Sequence, residues 1–282
     1  MKREERIVGM VNFFLENPRK LKRLAFFAEQ FNSGKTTISE DINIIDNIFK
    51  KQEIGYIKRI IGPTGGVMFV PVVSFADSEH FIHNLCDRLS EPKRILPGGY
   101  LYMTDILSEP STVKQLGKLL ATVFVDKDID IVMTVETKGI SLAYAVASYL
   151  NVPVVIVRRD PKVTEGSSVS INYVSGSTGK IQTMVLSKRS LQAGDRVCVV
   201  DDFMKAGGTI NGMMNLLSEF DAELAAIGVL AEADELKELR VIDEDYVSLV
   251  KLTEMDQRKK MIQVRPGNYL NILNKIVKTS FL

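Results

Sequence analysis

Along the first 70 residues, apolar positions recur at helical spacing three times and then change period. Ile7, Val8, Val11, Phe14 and Leu15 predict a helix over residues 4–16, which Pro18 stops. Leu24, Ala25, Phe27, Ala28 and Phe31 predict a second over residues 21–31. After the turn Asn32-Ser33-Gly34, the residues Ile38, Ile42, Ile45 and Phe49 form a 4-3-4 stripe and predict a third helix. Residues 54–61 and 67–70, separated by Gly62-Pro63-Thr64-Gly65-Gly66, read as a β-hairpin. Two helices joined by a short glycine-containing turn fit a helix-turn-helix, and the hairpin behind them makes a winged helix.

The remainder follows another rhythm. Residues 71–90 read as a linker and a helix. Strands are predicted over 129–135, 152–157, 197–200 and 225–231, with helices over 140–150 and 210–220. Such alternation argues for a mostly parallel sheet covered on both faces, with ligands bound beyond the carboxyl ends of its strands. The tail, 269–282, is amphipathic through Leu270, Ile272, Leu273, Ile276 and Val277, and suits packing or dimerisation. The fold class expected is therefore α/β, with domains at 1–73 and 74–282.

Composition narrows the class. The chain has 282 residues, 45% hydrophobic and 25% charged, which excludes a disordered, collagenous or coiled-coil chain. Cys86 and Cys198 are too few for a disulfide framework, and Cys198 sits in an apolar strand, as a small buried thiol does. His80 and His83 stand three apart, but nothing completes a metal set, so no metal site is expected. Neither a signal-peptide core nor a membrane-spanning run is present in the sequence, and the expected location is cytoplasmic.

The net charge of +1 conceals an asymmetry. Residues 1–70 hold 12 Lys/Arg and 8 Asp/Glu, a net of +4, and the remainder 24 against 27, a net of −3. A basic end suggests a nucleic-acid partner. In a winged helix the third helix enters the major groove by its N-terminal residues, here Lys35, Thr36, Thr37 and Ser39. Glu40 and Asp41 nearby would repel phosphate. Lys58 and Arg59 on the hairpin, and Lys2, Arg3 and Arg6 at the start, are candidate phosphate contacts. A helical protein-interaction unit is the competing interpretation. Gly34-Lys35-Thr36 resembles the end of a P-loop, but Glu29 occupies the required glycine position and a helix, not a strand, comes before it.

The most informative stretch is Val197-Cys198-Val199-Val200-Asp201-Asp202-Phe203-Met204-Lys205-Ala206-Gly207-Gly208-Thr209. A buried strand runs into two carboxylates, then a glycine turn and a helix start. Amides of a glycine loop at a helix N-terminus bind phosphate, and the Thr209 hydroxyl adds a donor. Carboxylates accept hydrogen bonds and suit a ribose diol. Together they describe a site for a ribose phosphate.

This stretch resembles the phosphoribosyl diphosphate (PRPP) signature of type I phosphoribosyltransferases. Lys205 and Ala206 depart from it, standing where a small residue and Thr are common. Glu136-Thr137-Lys138-Gly139-Ile140 resembles that family's pyrophosphate loop, and Arg158-Arg159 the start of its mobile loop, which runs through Lys162 and Gly166. Over nearly its full length the chain is similar to the purine operon repressors of Gram-positive bacteria. That similarity includes residues 94–100 (Arg94 to Pro97-Gly98-Gly99-Tyr100), Thr164 to Tyr173, and Asp201 to Thr209; Lys205-Ala206 is normal in that family. The resemblance implies a winged helix fused to a type I phosphoribosyltransferase-like effector domain. It implies a homodimer that represses purine synthesis genes, binds operator DNA and is released by PRPP. It also implies competition by purine nucleotides, including guanosine tetraphosphate (ppGpp), and no catalysis. No cofactor is required on this view, although Mg2+ is a candidate companion of PRPP. Tyr100 and Phe203 are candidates for stacking a purine, with core packing as the alternative. The competing function is a purine phosphoribosyltransferase with an N-terminal regulatory domain. Lys205-Ala206 and the DNA-binding unit separate the two.

Overall fold

The computed structural model describes residues 1–97, 100–161, 164, 166–174, 180–233 and 245–280, with the backbone alone for 277–280. It divides into two compact units, Met1–Ser74 with Ser148–Asn151, and Phe75–Ala147 with Val152–Leu282.

In the first unit, α1 (Arg3–Glu16), α2 (Leu24–Gln30) and α3 (Lys35–Lys51) precede the antiparallel strands β1 (Gly55–Ile60) and β2 (Gly66–Pro71). The apolar stripes face inward as their spacing requires. Met10 and Phe14 from α1, Phe27 from α2, and Ile38, Ile42 and Ile45 from α3 are fully buried together. Phe13, Phe14, Phe26 and Phe27 add edge-on and tilted ring contacts, with centroids 5.1 to 5.9 Å apart. The second helix starts later than its apolar pattern predicts. The backbone of Lys22 is engaged instead as a bridge to Val67, exchanging hydrogen bonds of 3.0 and 2.8 Å with it.

Asp41 changes the charge picture. Its side chain is 0% exposed and accepts from Arg6 Nε at 2.5 Å and Arg3 Nε at 2.9 Å. It is therefore neutralised and does not repel phosphate as its place in α3 suggests. The corollary corrects the expectation for Arg6, which is buried on Asp41 and is not presented to a phosphate. Three bonds then fix the hairpin to α3. Asp46 Oδ1 accepts from the Ile57 amide at 2.7 Å, and the Arg59 guanidinium donates to Asn43 Oδ1 at 2.7 Å and to the Ser39 carbonyl at 3.3 Å.

The second unit opens with α4 (Phe75–Leu89) and a 3-10 turn at Pro92–Arg94. The short pair β3 (Ile95–Leu96) and β4 (Tyr100–Leu101) follows, then α5 (Thr104–Ser108) and α6 (Pro110–Val123). Next come β5 (Ile131–Val135), α7 (Gly139–Leu150), β6 (Val154–Val157) and the hairpin β7 (Ser168–Val174) and β8 (Ile181–Ser187). The unit ends with β9 (Arg196–Met204), α8 (Gly208–Ser218), β10 (Glu223–Ala233), β11 (Val247–Asp256), β12 (Met261–Pro266) and α9 (Tyr269–Ser280). Among the described residues the main sheet has six strands in the order β12-β11-β10-β9-β5-β6, with only β12 antiparallel.

The strands with continuous apolar runs are those buried on both faces, as in parallel sheets generally. Val132, Met133 and Val197 to Val200 are fully buried. Cys198 is in that run, and burial holds its thiol pKa far above the usual value; Cys86 on α4 is pushed up to about 12. His80 and His83 are exposed on α4 and bond within their own helix, to Asn84 and the Glu79 carbonyl. The amphipathic tail packs: Tyr269 and Leu273 of α9 are buried, and Tyr269 Oη lies 3.4 Å from Ser78 Oγ of α4. Among the described residues no helix is long and apolar enough to cross a membrane.

Breaking a buried ion pair by removing one partner costs about 3–5 kcal/mol, because the other charge stays buried. Asp41→Ala strands Arg6, so it should lower the stability of the first unit by about that amount. Combining it with Arg6→Met should recover most of the loss. Urea unfolding followed by helical circular dichroism measures both.

Candidate functional site

The site is built on the carboxyl end of β9. The sequence places Asp201 and Asp202 just past a strand ending at Val200, whereas β9 continues to Met204. The extension follows from pairing with β10, whose Val229, Ala231 and Glu232 lie opposite Asp201, Phe203 and Met204. The acids are thus held on a rigid strand rather than on a loop.

Asp201 is 5% exposed, and its Oδ1 accepts the Asp202 amide at 2.9 Å. Burial and the neighbouring Asp202 carboxylate hold its pKa well above the usual carboxylate range. Burial also raises Asp202, offset in part by its contact with Asp201 and by the charge of Lys138. Beyond the strand, Gly207 takes a left-handed φ of 79° and caps α8. That conformation suits glycine, since a Cβ is strained there. The opening amides of α8 have no intrahelical acceptors and, with Ala206, Gly207, Gly208 and Thr209, surround a hollow of about 60 Å³. A hollow at a helix N-terminus is a place where an anion can be held.

A larger cleft of about 590 Å³ opens above the acids. Val135, Asp201, Asp202 and Phe203 line it, with Glu136, Thr137 and Lys138 from the loop between β5 and α7. Leu96, Pro97, Tyr100, Leu101 and Met103 line one wall. Tyr173 and Gln182 from the β7–β8 hairpin line another, with Arg159, Lys205 and Thr209 completing the rim. Gly139 lies behind this loop. A Cβ there would stand 2.4 Å from Thr134 Oγ1 and 3.3 Å from Asp201 Oδ1, so the loop approaches the acids only because this residue is glycine.

The cleft and hollow gather Tyr100, Thr137, Lys138, Asp201, Asp202, Phe203, Lys205, Ala206, Gly207, Gly208 and Thr209. Arg158 departs from its expected place. Its guanidinium reaches Glu136 Oε2 at 3.3 Å, its backbone bridges to Val185, and the cleft is lined instead by Arg159. Glu136 also accepts the Arg159 amide at 2.9 Å. Lys162, Gly98 and Gly99 lie outside the described residues. Gln182 carried no signal by itself. Tyr173, which donates to Gln182 Oε1 at 2.8 Å, could have been found from the inward alternation of Val169, Ile171 and Tyr173 in β7.

Among the described residues no three His, Cys, Asp or Glu side chains converge to hold a metal. The Asp201–Asp202 pair fits Mg2+ only in the manner usual for that ion, as one or two carboxylates beside ligand phosphates. In the first unit Lys35, Thr36, Lys58, Arg59 and Lys2 are exposed, and Thr37 and Ser39 are half-buried. Arg3 is half exposed while bound to Asp41.

Comparison with known proteins agrees with this division of labour. Residues 2–71 match the family model described as bacterial purine repressor, N-terminal, and residues 103–265 match the phosphoribosyl transferase domain. The chain is 54% identical to the purine biosynthesis transcriptional repressor PurR of Bacillus subtilis over 95% of this chain and 94% of that one. It is 44% identical to the purine biosynthesis transcriptional activator PurR of Lactococcus lactis over 96% and 99%. Adenine phosphoribosyltransferase of Thermoanaerobacter pseudethanolicus shares the fold of the second unit, with a TM-score of 0.53 at 22% identity over 60% of this chain and 98% of that one. With a matching N-terminal unit, a matching phosphoribosyl transferase domain and a full-length relative at this identity, the chain belongs to the bacterial purine repressor family.

Proposed function

We propose that this chain represses purine biosynthesis genes by binding operator DNA as a homodimer, and that PRPP in the cleft releases it. The observation that carries the proposal is the single run Asp201–Thr209, which sets two carboxylates, an ammonium and a helix N-terminus around one cleft. Asp201 and Asp202 accept the ribose hydroxyls. The amides from Ala206 to Thr209 take the 5′-phosphate, and Lys138 and Arg159 meet the diphosphate. Mg2+, where present, arrives with the diphosphate. Purine nucleotides, ppGpp among them, compete for the same cleft, with Phe203 and Tyr100 as the aromatic surfaces nearest the base. The first unit reads DNA through Lys35, Thr36, Thr37 and Ser39, and holds phosphates with Lys2, Arg3, Lys58 and Arg59. Repression, rather than activation, follows the more similar of the two relatives described above.

The enzyme alternative rests on the same cleft. Lys205 lines both cavities beside Ala206, where a transferase usually has a small residue and Thr. The chain should release no pyrophosphate from PRPP with any purine base, and sustained turnover would favour the enzyme.

An effector changes DNA affinity only if it binds the free and DNA-bound states differently. Titrating a regulated promoter duplex should therefore show weaker binding at saturating PRPP; unchanged affinity would reject PRPP as the inducer. Operator affinity should fall steeply with salt in both cases.

The acid pair has its own signature. Because its pKa values are raised in the folded chain, it favours the unliganded fold at low pH. That contribution is lost as pH rises from the usual carboxylate range through the raised values. The ionised form is the one that accepts ribose hydroxyls, so PRPP affinity should rise over the same window. Asp201→Asn should raise the melting temperature of the unliganded chain at neutral pH. It should weaken PRPP by about 1.5–3 kcal/mol, the loss of a charged hydrogen bond, and flatten the pH dependence. Calorimetric titration at several pH values measures these effects.

A further inference from the structure

The hairpin tip of the first unit carries a residue that neither the fold nor the effector site uses. Ile61 is 98% exposed, and the preceding Ile60 is 40% exposed. Tips of this kind are ordinarily polar, because Gly, Asn, Asp and Ser suit turns and water alike. Here the turn is Gly62-Pro63-Thr64-Gly65. It is closed by the Gly65 amide donating to the Gly62 carbonyl at 2.9 Å, with Gly62 at a φ of 127°. Gly65 packs so closely that a Cβ would fall 2.2 Å from the Ile60 carbonyl oxygen. The clip is therefore stiff and aims a β-branched apolar side chain into solvent, directly beyond Lys58 and Arg59.

We infer that Ile61 is an apolar wedge that enters the minor groove beside the site read by α3 and partly unstacks one base step. The inference rests on the DNA-binding role proposed above and adds a contact to it. Three observations place the wedge. First, the hairpin is fastened to α3 at Asp46–Ile57 and at Arg59–Asn43, so the tip moves with the reading helix. Second, the strand that carries the tip runs along α3 toward its N-terminal end: Ile57 bonds to Asp46, and Arg59, two residues nearer the tip, bonds to Asn43 and the Ser39 carbonyl. Third, the flanking cations suit the phosphates that border a groove, while the aliphatic tip suits only the faces of bases. Isoleucine is among the side chains that open base steps from the minor groove, trading stacking for a kink that brings more phosphate onto the protein.

The test uses the full chain and a duplex of a regulated promoter, with 2-aminopurine replacing each adenine in turn. Wild-type protein should brighten the probe at one step in each half-site. Ile61→Ser should abolish the brightening and weaken affinity about tenfold, with an unchanged salt slope because no phosphate contact is lost. Ile61→Phe should retain both. Lys58→Ala should show the opposite pattern, a shallower salt slope with brightening kept. Wild-type binding without brightening at any position, or Ile61→Ser behaving as wild type, overturns the wedge and leaves DNA binding intact. A wild-type chain that does not prefer the promoter to a scrambled duplex overturns the DNA-binding role and the wedge together. Ile61 touches no core, so circular dichroism should confirm that each variant is folded.

Discussion

Two adjacent carboxyl groups stand at the end of a buried strand, where burial disfavours both ionised forms and the charge of Asp202 adds to this at Asp201, and the cleft of the second unit is built around them. Asp201 is closed in by the Gly139 loop and held by the Asp202 amide. Lys138, Arg159 and Lys205 gather at the same cleft. An acid pair of this kind is costly to keep in an empty fold, and a cost of that sort commonly marks a functional site. The ligand proposed above, with a diol for the acids and anionic ends for the cations, would relieve it.

The first unit solves a similar problem by the opposite means. Asp41 lies within the helix proposed above to approach DNA, and it is buried and matched by Arg6 and Arg3 instead of being left exposed. The match removes an acid from the outward face of α3 and spends part of the basic N-terminus on the interior. Net charge thus misleads in both directions: Asp41 is silent toward DNA, and Arg6 is silent with it.

Much of this was legible in the sequence, because the signals were local. The stripes of α1 and α3, the glycine-rich hairpin turn, and the apolar runs of β5 and β9 each declare themselves within a dozen residues. The glycine pair after Asp202 declares the turn that caps α8 in the same way. What was missed depends on distant partners. Lys22 leaves the second helix because Val67, 45 positions later, offers it a bridge. β9 extends past its apolar run because β10 lies alongside. Arg158 turns to Glu136, leaving Arg159 for the cleft, a choice that two adjacent arginines cannot reveal by themselves. Of the two lining residues from the β7–β8 hairpin, Tyr173 left an alternation to read and Gln182 left none.

The two cysteines carry a last implication. Oxidation and alkylation need an accessible thiolate, and here one thiol is sealed in the central strand of a sheet and the other is buried on a helix with its proton firmly held. Neither can report an oxidant without the fold first opening. A cysteine introduced at the surface would therefore be the one accessible thiol among the described residues for a spectroscopic label.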